Sequence, residues 1–319
     1  MKYIAWGISK LLMMYLDQDT EKKITFSYCI DDFSKEEYLR GIPIKKSLSL
    51  DEEMKNEYCL VIFAVSSHSL FQIKKKLNKM GLKYKEGYIF YSDLFYETFI
   101  EKIVERLNLN LNPAIYSYAL SFTLNSQTPM QTTILGTWLF LELFNKVKNI
   151  DGSIAEIGAF HGGNALSALL FMNHHQKKPF HIIDSFEGFS APSHFDPARV
   201  KKGDLSIEAP YEEIIDTFKP FSNVKLYKGF VPDIFSELNP EERYSLVFYD
   251  CDLYQPALDA YAYFWDKIIP GGYLLIHDYE TEQGGFEGVK KATIEFFADK
   301  NQEVFSFYEN TMAIIHKNH

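Results

Sequence analysis

The run Ser153-Ile-Ala-Glu156-Ile157-Gly158-Ala159-Phe160-His161-Gly162-Gly163-Asn164, followed by Ala165-Leu-Ser-Ala-Leu-Leu, constrains this chain more than any other. A short apolar strand that enters a glycine turn and leaves it as a helix belongs to a parallel α/β sheet. Glycines at such a turn let the backbone reverse tightly and let a ligand approach with no Cβ in the way. The next apolar run, His181-Ile-Ile, ends at Asp184, 26 residues beyond Gly158. A carboxylate there can accept hydrogen bonds from ribose hydroxyls. The glycine spacing is G-x-x-x-G-G, not the G-x-G-x-x-G of dinucleotide folds, and the Lys-Ser/Thr of a phosphate loop is missing. An adenosine-containing cofactor other than NAD is therefore expected. Glu156 suits S-adenosylmethionine, whose amino-acid end is positively charged. A plain glycine-rich strand–helix turn is the bland alternative, and Asp184 weighs against it.

Alternation of strand and helix extends the reading in both directions. Strands are expected at residues 3–6, 24–30, 60–65 and 89–91, with a helix through Leu11, Leu12 and Tyr15 and another starting at Ser66-Ser67. Residues 1–95 are read as a small Rossmann-like domain. Residues 96–150 form a helical connector or cap, with helices at 96–107 and 131–147 separated by a polar stretch holding Pro113 and Pro129. Residues 151–319 are read as the larger catalytic domain, with strands at 153–157, 180–184, 224–227, 246–250, 273–277, 304–308 and 312–316. The polar segment 185–221, with Pro192, Pro197, Pro210, Arg199, Lys201 and Lys202, is too long for a plain connection and reads as a substrate-binding lid.

Composition narrows the function classes. With 46% hydrophobic and 24% charged residues the chain can bury a core, which excludes wholesale disorder. Net charge is −10, which argues against non-specific nucleic-acid binding. Residues 1–100 hold 15 Lys/Arg and 14 Asp/Glu, leaving 18 and 29 beyond, so the acidity belongs to the C-terminal two thirds. Cys29, Cys59 and Cys251 are widely spaced with no CxxC pair, which points to a reducing cytoplasm. Neither a signal peptide nor a membrane span is expected. His174-His175 reads as a solvent-facing helix end.

Acids recur at strand ends. Leu246-Val-Phe-Tyr-Asp250-Cys-Asp252-Leu-Tyr254 and Ile269-Pro270-Gly271-Gly272-Tyr-Leu-Leu-Ile-His277-Asp278-Tyr279 each end an apolar run in carboxylates, with the Pro-Gly-Gly turn between the strands. In a parallel sheet Asp250, Asp252, His277 and Asp278 should meet on the same edge as the glycine loop. Such a set can hold a hard divalent cation, while any single Asp there is equally a turn or cap residue. With Asp184-Ser185-Phe-Glu-Gly188, Lys228-Gly229-Phe and Gly288-Val-Lys-Lys-Ala292, this motif series resembles the macrocin-type (TylF/MycF/NovP) O-methyltransferases over about residues 115–319. The resemblance implies a class I, doubly wound, Rossmann-like methyltransferase domain that transfers a methyl from S-adenosylmethionine to a sugar or glycan hydroxyl with Mg²⁺ or another divalent cation. It assigns Asp250, His277 and Asp278 to the metal and Asp252 to general base. Glu156, Gly158, Phe160, Gly162, Gly163, Asp184 and Ser185 go to the cofactor. His277 departs from the family's Asp, and imidazole suits Mg²⁺ poorly.

The expected partner is a small-molecule, sugar-type acceptor, with no nucleic acid, no membrane span and a homodimer left open. Gly7 is what remains of a glycine loop in residues 1–95, so a structural or acceptor-positioning role is favoured there over NAD binding. Two other readings stay open: an NAD-dependent sugar-nucleotide enzyme, and a non-catalytic S-adenosylmethionine-binding protein.

Overall fold

The computed structural model describes residues 2–17, 24–47, 58–64, 66–107, 111–171, 178–207, 211–281, 285–307 and 311–318. Val65, His174, His175, Pro210 and Tyr308 lie outside the described residues.

The chain opens with β1 (Lys2–Trp6), a turn at residues 7–9, and α1 (Lys10–Asp17), which buries Leu11, Leu12, Met14 and Tyr15. There follow β2 (Phe26–Ile30), β3 (Tyr38–Leu39), β4 (Ile42–Lys45), β5 (Tyr58–Ile62), α2 (Ser67–Lys79) and β6 (Tyr88–Phe90). The sheet order is β3-β4-β2-β1-β5-β6, parallel throughout except for the antiparallel β3–β4 pair. Ser66 caps α2 by accepting from the Ser69 N–H, as its place before an apolar helical face predicts. The β3–β4 pair escaped the sequence reading, since two and four residues are too few for a periodic signal.

Three helices follow: α3 (Tyr91–Leu107), α4 (Pro113–Asn125) and α5 (Ile134–Lys146). Helix α4 corrects the expected polar stretch. Asn112 caps it by accepting from the Ala114 N–H, and Pro113 sits at its first turn, where a missing N–H costs nothing. In α5 every residue from Ile134 to Phe144 is buried, the pattern of a helix surrounded by protein. One apolar cluster runs from Ile4 and Leu60 through Tyr116 and Trp138 to Leu246, Phe248 and Ile314. Tyr116 adds polar stitches by donating to Ser92 Oγ or Asp93 Oδ1, each 3.1 Å away.

The second sheet is built from β7 (Ser153–Ile157), α6 (Gly163–Phe171), β8 (Phe180–Asp184), α7 (Tyr211–Phe218), β9 (Val224–Lys228), β10 (Tyr244–Tyr249), α8 (Tyr254–Phe264), β11 (Ile268–Ile276), α9 (Glu287–Phe297), β12 (Val304–Phe307) and β13 (Met312–His316). Its order is β12-β13-β11-β10-β7-β8-β9, with β13 antiparallel to both neighbours. The chain winds outward from β7 through β8 to β9, then crosses back to β10 on the other side of β7. That reversal opens a crevice at the C-terminal ends of β7 and β10. Pro270-Gly271-Gly272 is not the expected turn between strands: it lies inside β11, where the pairing with β10 shifts register and Gly271 takes φ 83°. It is a bulge that keeps the strand paired.

Candidate active site at the strand ends of the second sheet

At Gly158 the chain leaves β7 with φ 85°, and an added Cβ would sit 2.1 Å from the Asp250 carbonyl oxygen. Only glycine lets the β7 turn pass this close to the end of β10. Asp184, closing β8, ties the turn down. Its Oδ2 accepts from the Phe160 N–H at 2.7 Å and its Oδ1 from the Phe186 N–H at 2.6 Å. Burial raises its carboxyl pKa even against the Phe186, Phe160 and Ala159 N–H groups, which favour the charged form.

A cavity of about 340 Å³ opens beside this turn, within the size range of small-molecule sites. Gly158, Phe160, Asp184 and Ser185 line one part, and Asp250, Asp252, His277 and Asp278 another. Phe189, Leu205, Phe230, Val231, Pro256 and Phe286 supply apolar wall, with Phe189 and Leu205 drawn from the long segment after β8. Phe189 N–H donates to the Asp204 carbonyl at 2.9 Å, and Gly203 N–H to the Phe189 carbonyl at 3.0 Å, so this wall is folded onto itself. Asp196 latches it to α8 by accepting from the Tyr254 N–H at 2.8 Å.

Three residues expected at the cofactor are not in the lining. Glu156 is buried on β7, beneath the start of α6, where the Ala165 N–H and the Asn164 side chain offer hydrogen bonds. Burial, with the Asp250 charge second, holds its carboxyl well above the usual range. Gly162 and Gly163 pack instead against Phe218 and Met130. Their contribution is the close seating of α6.

Asp250, Asp252, His277 and Asp278 do converge: one potential ligand atom from each lies within 4.8 Å of all the others. Asp252 and Asp278 adopt left-handed backbone, at φ 61° and 51°, which is strained for a non-glycine residue. His277 Nδ1 lies 2.6 Å from Asp250 Oδ1 and 3.3 Å from Asp278 Oδ2, close charge contacts without aligned N–H donation. Burial opposes a charged imidazole, but Asp250 and Asp278 outweigh it and raise His277 to about 10. Burial also raises Asp250, and raises Asp252 further, where Asp278 and Asp250 repel a second charge. Asp278 is the carboxyl held low: burial works against its charge, but His277 and Lys10 prevail.

Lys10 is the residue that no motif announced. It comes from α1 in the first sheet's half of the chain, and its Nζ lies 2.9 Å from Asp278 Oδ1. With an imidazole among the donors and an ammonium on Asp278, the set fits Mg²⁺ poorly, since that ion takes oxygen ligands in a strict octahedron. Tyr254, which opens α8 beside the site, turns its hydroxyl to Glu295.

The turn after β1 follows the same plan. Gly7 has φ 98°, and Asp31 at the end of β2 accepts from the Ile8 N–H at 3.1 Å, and from the Phe33 and Ser34 N–H groups at 2.8 and 2.7 Å. Asp32 pairs with Lys76 and Ser47, which hold its carboxyl down to about 2 against partial burial.

A family model described as macrocin-O-methyltransferase (TylF) matches residues 142–303. A curated protein of Streptomyces olivaceus, 8-demethyl-8-(2,3-dimethoxy-alpha-L-rhamnosyl)-tetracenomycin-C 4'-O-methyltransferase, is 26% identical over 143 residues, covering 42% of this chain and 55% of that protein. The chain thus spans about half the length of that curated relative. Among solved structures, CalS11, a calicheamicin methyltransferase, aligns with TM-score 0.49 at 16% identity over 65% of this chain and 94% of its own. The O-methyltransferase NovP aligns with TM-score 0.48 at 16% identity, over 72% of this chain and 100% of its own. The match at residues 142–303 takes in β7 with its glycine turn, Asp184, Asp250, Asp252, His277 and Asp278, and it spans half of the sequence: the chain belongs to the macrocin-O-methyltransferase (TylF) family.

Proposed function

We propose that this protein is an S-adenosylmethionine-dependent O-methyltransferase acting on a hydroxyl of a small, sugar-type acceptor, in natural-product or surface-glycan biosynthesis. The observation that carries the reading is one cavity joining the Gly158 turn and Asp184 to the carboxylates at the ends of β10 and β11. In this reading residues 151–319 are the methyltransferase domain, 96–150 the helical connector and 1–95 a Rossmann-like domain. Three separated free cysteines suit the cytoplasm.

The residues fit the cofactor. Gly158, Phe160, Asp184 and Ser185 line the cavity beside the β7 turn, Asp184 closes β8 at the position suited to ribose hydroxyls, and the nearby acids favour a cation. S-adenosylmethionine, when bound, supplies an electrophilic sulfonium methyl. Asp252, in its ionised form, takes the proton of the acceptor hydroxyl; burial and its Asp278 and Asp250 neighbours favour the protonated product of that step. Phe189, Phe230 and Phe286 exclude water and leave the acceptor a largely apolar bed. The family resemblance adds a divalent cation on Asp250, His277 and Asp278. That donor set fits Mg²⁺ poorly.

The test is calorimetric titration of the full chain with S-adenosylhomocysteine and with NAD. Micromolar S-adenosylhomocysteine affinity without NAD binding supports the reading, at the scale usual for such ligands. An NAD complex alone would overturn it, and would favour the sugar-nucleotide reading of residues 1–95.

A further inference from the structure

Lys10 lies outside residues 142–303, the part of the chain that the family match describes. It is the first residue of α1, reached directly from the turn after β1. That turn is fixed at both sides: Gly7 N–H donates to the Ile30 carbonyl at 3.0 Å, and Ser9 Oγ to the Phe63 carbonyl. A cation at the first position of a helix faces the positive end of the helix dipole, and α1 has no acid in its first turn to offset it. The compensation comes from the other sheet. The Lys10 ammonium reaches Asp278 Oδ1 at 2.9 Å, with the two side chains 22% and 3% exposed. Among the described residues lining the cavity, Lys10 is the one that carries an ammonium or guanidinium. Three carboxylates held together at low exposure demand positive charge, and a divalent ion is one way to supply it. Here the protein supplies it itself, from His277 beside Asp250 and Asp278 and from Lys10 in a separate part of its own chain.

We propose that Lys10 is a resident cation of the Asp250–Asp252–Asp278 cluster, standing with His277 in place of a divalent metal, so that the N-terminal part of the chain completes the active site. Lys10 acts as a positioning residue. It fixes Asp278 through the ion pair, and through it the neighbouring carboxylates, while its charge repels a second cation. The proposal rests on the methyl-transfer reading only for what the cavity does.

The test is Mn²⁺ titration of the full-length protein, followed by electron paramagnetic resonance of the free ion, with and without S-adenosylhomocysteine. Wild type is expected to leave Mn²⁺ free up to roughly 1 mM, weak for a carboxylate site. Lys10→Met should bind one Mn²⁺ at least about tenfold more tightly, given the repulsion removed at this range, and Lys10→Arg should behave as wild type. Equal affinity in wild type and Lys10→Met, or micromolar Mn²⁺ binding by wild type, overturns the proposal. Should Lys10→Met lose its folded circular-dichroism spectrum, Lys10→Gln repeats the comparison, and the wild-type titration decides by itself if it finds micromolar binding. A wild type that takes no S-adenosylhomocysteine counts against the methyl-transfer reading instead, and the ligand-free Mn²⁺ comparison still judges Lys10.

Discussion

After β1 the chain turns at Gly7, after β7 it turns at Gly158, and in each sheet an aspartate closing the next strand reaches back to the turn. Asp31 accepts from the Ile8 N–H, and Asp184 from the Phe160 N–H. The difference lies in what faces the turn across the reversal of strand order. At the first turn it is the backbone of Phe63 and Ala64, whose atoms stand 3.6–3.7 Å from a Cβ placed on Gly7. Across the second stand Asp250 and Asp252, followed by His277 and Asp278 from the next strand, around an open cavity. The same fold thus sets the Phe63–Ala64 backbone beside one turn, and a cavity lined by carboxylates beside the other. Doubly wound sheets provide the crevice, and the residues at the strand ends decide whether it holds chemistry.

Five substitutions test this contrast, and a sixth tests the helix between the sheets. The largest effect is expected at Asp252→Asn, which should slow methyl transfer by about 10³-fold, the scale of a lost general base, with S-adenosylhomocysteine affinity nearly unchanged. Product formation followed by mass spectrometry, beside calorimetry, checks it, and full turnover would remove Asp252 from the base role. Gly158→Ala should cost about 3 kcal/mol or more of unfolding free energy, because its Cβ would run into the Asp250 carbonyl, while Gly7→Ala should cost only about 1 kcal/mol for its backbone angle. Denaturant melts of both variants compare the turns directly, and equal losses would erase the distinction.

Asp184→Ala should weaken S-adenosylhomocysteine binding by about 100-fold, the value of two or so hydrogen bonds, whereas Asp31→Ala should lower stability by about 1–3 kcal/mol and leave that affinity alone. A drop in cofactor affinity in the Asp31 variant would mean that the first turn also binds ligand. The smallest effect concerns the helix between the sheets. Burial holds Glu142 at about 7, above its ordinary 4.5, although the Asn112 N–H and Trp138 Nε1 donate to it. The native state therefore keeps this proton longer than the unfolded chain does. Its stabilising contribution is complete below the ordinary value and is lost as pH rises through about 7. Glu142→Gln should remove that dependence and gain about 1–2 kcal/mol over wild type at pH 8. Thermal melts at pH 5 and pH 8 read the difference, and parallel pH trends would show that Glu142 is not its source.

Much of the second sheet was legible because its strands are buried on both faces. Strands β7, β8 and β13 match their expected ranges, since an apolar run bounded by turn residues has few other uses. The convergence of Asp250, Asp252, His277 and Asp278 followed from their place at parallel strand ends. Other features were harder to read. Helix α4 hid behind Pro113, although Asn112-Pro113 is a helix start, because its low contrast between faces mimics a loop. Bulged β11 was cut short at its glycines, where pairing continues regardless. Glu156 was assigned to the cofactor for its charge just before the glycine turn, yet it lies outside the cavity lining and under α6, against Asn164 and the Ala165 N–H.

Sequence alone determined the α/β class, the glycine turn, the acid-tipped strands and the family, because all of these are written in residues close together along the chain. Tertiary structure decided what stands beside each of two similar turns, which conspicuous residues only pack, and that Lys10, 268 positions away from Asp278, supplies a charge to its cluster. Local periodicity and turn chemistry act over a few residues and can be read in order. A partner brought in by the docking of two sheets depends on the packing of α3, α4 and α5 between them, and no short stretch of sequence carries that information.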